Sequence, residues 1–99
     1  MLIRIVRMTF KPESVDDFLQ NFNANKNYIR NSPGCHHLEL WQDENEKNIF
    51  LTCSHWENEE KLNQYRGSEL FKSVWAFTKP LFSEKPQAFS SKKLEEVEK

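Results

Sequence analysis

Two glycines and two cysteines are all that this chain of 99 residues holds of either type. Gly34 and Gly67 are too few and too far apart for a phosphate-cradling glycine loop, so no nucleotide cofactor is expected. Cys35 and Cys53 lack metal-like spacing and read as reduced thiols packed as small apolar groups. Cys53 has no cation cluster or helix start beside it to lower its pKa, which argues against a nucleophilic role. The three histidines do not make a metal site either. His36 and His37, adjacent on a strand, face opposite ways, and His36 with His55 finds no third ligand. An excess of one charge is also missing: 14 basic residues stand against 15 acidic ones. Without a basic face to displace counterions, nucleic acid is not an expected partner. No apolar run approaches the roughly 20 residues that span a bilayer, so no membrane segment is expected. Arg4 and Arg7 interrupt the only N-terminal apolar stretch, which removes the pattern of a signal peptide. A cytosolic location is the expectation.

What the chain does have is aromatic rings. Eight Phe, three Trp and two Tyr make 13% of a sequence that is only 37% hydrophobic. Large rings bury much area per residue and let a small domain build its core. A chain of this length buries only about two thirds of its surface, so residues 1–99 are expected to form one domain. A second copy of the chain is expected to cover part of the aromatic surface.

The organising stretch runs from Asn48 to Phe71. It reads as a strand that ends in Trp56 and turns at once into a helix capped by Asn58, whose side chain can accept a first-turn amide. Glu59 and Glu60 suit the positive end of that helix. Gly67 breaks it, and Ser68 caps a second helix carrying Leu70, Phe71, Val74 and Trp75. Upstream, Leu2 to Phe10 is β-rich and stops at Lys11-Pro12. Val15, Phe18, Leu19, Phe22 and Ile29 then recur at helical spacing through about Arg30, and Ser32-Pro33-Gly34 is turn chemistry. Cys35 to Gln42 and Asn48 to Trp56 form a hairpin. A loop centred on Asn45 and Glu46 predicts the pairs Leu40–Leu51, Leu38–Cys53, His36–His55, Trp41–Phe50, Glu39–Thr52, His37–Ser54 and Cys35–Trp56. Gln87 to about Val97 reads as an edge or partner-crossing strand, with Lys92 to Lys99 equally open to a frayed helical tail.

Strand, helix, strand, strand, helix, strand is the ferredoxin-like βαββαβ order: an α+β fold with a four-stranded antiparallel sheet and helices on one face. Phe22, Trp41, Trp56, Tyr65, Phe71 and Trp75 could line one volume between the layers or fill it; both readings are open at this point. A flat aromatic ligand suits such walls, with Tyr65, His37 or Lys26 as polar anchors. Lys26 itself has two readings, snorkelling out from the helix end or facing the cavity.

Pro33-Gly34-Cys35, the alternating hairpin, His55-Trp56-Glu57-Asn58 and Ser68-Glu69-Leu70-Phe71 together resemble the antibiotic biosynthesis monooxygenase (ABM) domain over nearly the whole chain. The resemblance implies a dimeric α+β barrel and a homodimer. It also implies oxidation by oxygen of a small aromatic or quinol-like substrate without metal or flavin, so no cofactor. The alternative is a non-catalytic ABM-fold dimer that binds a small metabolite or serves a structural role. Trp56 matches the pocket tryptophan of the cofactor-free members. Thr52 stands at their asparagine and Leu62 at their shuttle tyrosine. Val6, Tyr65 and Trp75 stand where haem-degrading members carry asparagine, tryptophan and the iron-ligating histidine, so haem degradation is not expected. The candidate catalytic residues are Trp56, Tyr65 and His37. The candidate substrate-binding residues are Phe22, Lys26, Trp41, Thr52, Phe71 and Trp75. The resemblance favours the Trp41, Thr52 and Trp56 face under the helices over the Leu38, Leu40 and Leu51 face. Trp56 is expected to be a cavity wall whose removal damages binding more than folding.

Overall fold

Along the first strand, β1 (Leu2–Thr9), every second residue turns inward, so Arg4, Val6 and Met8 share one face and Ile3, Ile5 and Arg7 the other. In the computed structural model, which describes residues 1–99, β1 is an inner strand. It pairs antiparallel with β3 (Ile49–Trp56) on one side and with the short edge strand β4 (Gln87–Ser91) on the other. Strand β2 (Cys35–Gln42) completes the order β2-β3-β1-β4. Helices α1 (Val15–Arg30), α2 (Glu59–Arg66) and α3 (Glu69–Thr78) complete the βαββαβ chain order. Beyond Ser91 the chain has no regular secondary structure, so the last strand stops short of Val97 and the helical alternative for 92–99 is not adopted either.

Local chemistry sets the helix ends. Pro12 opens a single 3-10 turn before α1, where its missing amide is harmless. Asn58 Oδ1 accepts the Lys61 amide at 2.9 Å, satisfying one free donor of α2. The Ser68 hydroxyl accepts the Phe71 amide at 3.1 Å and donates to the Tyr65 carbonyl at 2.6 Å. One side chain thus pins the corner between α2 and α3 and fixes Tyr65 against Phe71. The turn after α1 needs Gly34, whose φ of +84° is left-handed and whose missing Cβ would run into the Lys61 side chain. That close approach seats α2 against the strand turn, and the Glu57 amide donates to the Gly34 carbonyl at 2.8 Å.

The hairpin register differs from the expected one. Asp43 Oδ2 accepts the amides of Asn45 and Glu46 at 3.0 and 2.8 Å, and the Ile49 amide donates to the Glu46 carbonyl at 3.1 Å. These bonds centre the loop on Glu46. The pairs become Leu40–Thr52, Leu38–Ser54, His37–His55, Glu39–Cys53, Trp41–Leu51 and Gln42–Phe50. Cys35 still meets Trp56, as expected, because a bulge at His36 absorbs the offset. A one-residue shift moves each side chain of one strand to the other face relative to its partner. Leu38 and Leu40 therefore join Thr52 and Trp56 under the helices, while Trp41 turns to the open face. Of the expected Trp41, Thr52 and Trp56 face, two members lie where they were expected and Trp41 does not.

Two buried clusters result. Met8, Phe10, Phe18 and Phe50 fill one end of the interlayer space. Cys35, Trp56 and Leu62 lie toward the other, with Leu2 and Tyr65 packed on them.

Candidate functional site: a cavity between the sheet and the helices

Between the two layers lies a cavity of about 360 Å³. Its floor is the inward face of the sheet: Arg4, Val6 and Met8 of β1, Leu38 of β2, Thr52, Ser54 and Trp56 of β3, and Ala88 of β4. The register explains that floor, since Leu38 sits opposite Ser54 and Arg4 is also paired with Ser54. Phe18, Phe22 and Ile29 come from α1, Leu62, Tyr65 and Arg66 from α2, and Phe71, Val74, Trp75 and Thr78 from α3.

The helix side is a continuous band of rings. Trp56 stacks on Tyr65 with centroids 4.8 Å apart, and Tyr65 meets Phe71 edge-on at 5.3 Å. Phe71 lies nearly parallel to Trp75 at 6.0 Å, and Trp75 meets Phe82 at 5.6 Å. The size falls at the lower end of small-molecule sites, and the walls are the apolar kind that such sites use.

Polar groups on this lining are few. Burial, with the neighbouring Cys35 thiol second, pushes the Tyr65 hydroxyl up to about 12. Tyr65 is therefore a neutral hydrogen-bond donor near pH 7 rather than a base. Trp56 is 1% exposed, and its indole N–H donates to Ser54 Oγ at 2.9 Å. Arg4 is half-buried; its pKa is lowered first by burial and then by the charge of Arg66. No aspartate, glutamate or histidine lines the cavity.

The sequence matches the antibiotic biosynthesis monooxygenase family over residues 1–76. This chain belongs to that family. A solved antibiotic biosynthesis monooxygenase superposes with a TM-score of 0.90 at 19% identity, covering 96% of this chain and 100% of that one. A conserved protein from Methanosarcina mazei gives 0.87 at 21% identity, over 94% of this chain and 93% of that one. A Mycobacterium tuberculosis protein gives 0.87 at 16% identity, over 98% of each. At these identities the likeness establishes the ferredoxin-like α+β fold of the ABM family. Among curated proteins, no sequence matches this chain.

Within this ABM chain, six of the nine candidate residues meet at the cavity: Phe22, Thr52, Trp56, Tyr65, Phe71 and Trp75. Three do not. Lys26 is exposed and donates to Asn23 Oδ1 at 3.2 Å, the snorkelling alternative, although the buried stripe of α1 continues beyond it to Ile29. Trp41 is 43% exposed and donates to Glu39 Oε1 at 2.8 Å. His37 shares that open face, paired with Glu39 at 2.8 Å and packed on His55 at 4.7 Å. The shifted register brings His37, not His36, opposite His55, so an acid or base role for His37 in the cavity does not fit its position. No group of three potential ligands is arranged to hold a metal ion. Cys35 and Cys53 are buried, and burial raises both thiols. The full burial of Trp56 also changes its expected role: it is core as much as wall, so its removal falls in the core range.

Arg4, Arg66 and Ser54 are lining residues that the sequence reading does not place at the site. The signal for Arg4 was its place in step with Val6 and Met8, the inward alternation of β1. Arg66 follows Leu62 by one helical turn, and the buried Leu62 marks that face.

Proposed function

We propose that this ABM-family chain is a monooxygenase that oxidises a small quinol-like or anthrone-like aromatic without metal or flavin. The observation that carries this reading is the ring-walled cavity with Tyr65, a neutral phenol, among its lining residues. In the reaction, a substrate carbon bearing acidic hydrogens loses a proton, and the resulting anion gives one electron to oxygen. Recombination of the radical with superoxide forms a carbon–oxygen bond, and protonation yields a hydroperoxide. Loss of water leaves a carbonyl, so CH₂ and O₂ become C=O and H₂O. Here the protein holds the planar substrate against the aromatic band, excludes water and donates a hydrogen bond from Tyr65 to developing negative oxygen. With no carboxylate or histidine on the lining, the substrate must be acidic enough to ionise on binding.

That same lack of a lining base favours a second reading, an ABM-fold binder of a small aromatic metabolite. Oxygen uptake over a panel of anthrone-like and quinol substrates separates the two. Uptake lowered at least about tenfold in Tyr65→Phe supports the enzyme; ligand binding with no uptake supports the binder.

We also propose a homodimer formed through the open sheet face. Phe89 and Trp41 are 53% and 43% exposed there, beside Ile3, Ile5 and Leu51. Light scattering should give about twice the chain mass of 11.9 kDa. A stable monomer at micromolar concentration would contradict the dimer.

A further inference from the structure

Two arginines face one cavity that has no acid on its lining. The ion pairs of the chain are His37–Glu39, Lys72–Glu69 and Lys93–Glu96, so neither Arg4 nor Arg66 has a carboxylate partner. Arg4 lies on the floor strand between Leu2 and Val6 and is half-buried. Its Nη1 donates to Ser90 Oγ at 3.0 Å, which leaves most of its five donors unused. Arg66 is exposed at the rim, and its charge bears on Arg4. Two like charges beside a largely apolar volume repel each other, and the half-buried Arg4 also loses hydration; an anion seated between them relieves both effects. The apolar band of rings then holds the rest of such a ligand, and Ser54 and Tyr65 belong to the same lining.

We propose that Arg4 and Arg66 form an anion anchor for the cavity ligand, and that this ligand is a planar aromatic bearing an anionic oxygen group. The planar aromatic rests on the functional reading above; the anchor does not depend on turnover. An oxygen anion of this kind is either a carboxylate, which the guanidinium fork grips in bidentate fashion, or an ionised phenol. In the second case the anchor also does the work of the missing base, because two nearby cations lower the pKa of a bound phenol.

The test uses three probes of one ring size, 2-naphthoate, its neutral isostere 2-naphthamide, and 2-naphthol, with tryptophan fluorescence as the readout. At pH 7 and low salt, 2-naphthoate should bind the wild-type protein about tenfold more tightly than 2-naphthamide, the scale of one charge-assisted contact. Arg4→Gln should remove about that factor for the acid and leave the amide unchanged, and Arg4→Lys should restore part of it. Arg66→Gln, exposed and more screened, should lose about threefold. For 2-naphthol, the naphtholate band should appear at lower pH when bound than when free if the phenolate is the anchored group. A preference for the acid without that band shift assigns the carboxylate, and either result supports the anchor. Equal affinity for acid and amide, with no band shift, would overturn the anchor while leaving the aromatic cavity intact. Failure of all three probes to bind would remove the aromatic cavity and the anchor together. The acid-to-amide ratio is read on the wild-type protein, so the test stands even if Arg4→Gln does not fold.

Discussion

The two ends of the space between sheet and helices are built from the same residue types and come out differently. At the Phe10 end, Phe10 stacks on Phe18 at 4.2 Å, Phe18 meets Phe50 at 5.3 Å, and Phe10 is 0% exposed. At the Trp75 end, rings are as numerous, yet Tyr65, Phe71 and Trp75 border a cavity of about 360 Å³. The floor makes the difference. Under the Phe10 end the strands send up Met8 and Phe50; the cavity floor borders on Met8 too, but sets the small Thr52, Ser54 and Ala88 among Arg4, Val6, Leu38 and Trp56. Over the small floor residues the rings do not reach the sheet, and space remains. Aromatic content alone therefore does not tell core from pocket; the size of the facing strand residue does.

The largest effect that would test this contrast is at the closed end. Phe10→Ala should cost about 3–5 kcal/mol in chemical denaturation, because its neighbours close on it from all sides. Trp56→Ala should fall in the same range despite touching the cavity, since Trp56 is fully buried and removal also orphans its bond to Ser54. At the open end Phe71→Ala should cost less, about 1–2 kcal/mol, while affinity for a planar aromatic falls about tenfold. Similar losses at Phe10 and Phe71 would erase the distinction.

A smaller effect belongs to the corner that holds the open wall. Ser68→Ala removes both the cap on Phe71 and the bond to the Tyr65 carbonyl. Loss of about 1 kcal/mol is expected, with looser ligand binding from a displaced Tyr65. Denaturation and ligand titration of this variant check both parts.

Tyr65 gives a readout with little bearing on stability at neutral pH. Its folded pKa of about 12 lies above the ordinary 10. Its contribution to stability is thus fully present below pH 10 and is lost as pH rises toward 12. In a Tyr28→Phe variant, where Tyr65 is the only tyrosine, the phenolate absorbance should appear near pH 12. Ionisation near pH 10 would mean the hydroxyl is well solvated.

Much of this was legible in the residues. The strand and helix order, the caps at Asn58 and Ser68, the break at Gly67 and five aromatic cavity residues followed from local chemistry and periodicity, whereas Thr52 came from the ABM resemblance. The register did not, because one carboxylate, Asp43, decides where the loop is centred by accepting two amides. That shift alone explains why Trp41 and His37 lie on the open face rather than at the cavity. The inward placement of Arg4 is missed for a different reason: an arginine in a strand reads as a solvent-facing residue unless the inward phase of the strand is followed through it.

The central claim is that small floor residues leave usable space beneath the aromatic band, and filling the floor tests it most directly. Thr52→Leu places a larger apolar side chain at the cavity floor. The account predicts unchanged or higher stability in denaturant, within about 1 kcal/mol, together with loss of 2-naphthoate binding. Destabilisation by about 1–3 kcal/mol, the mark of an overpacked core, would contradict it.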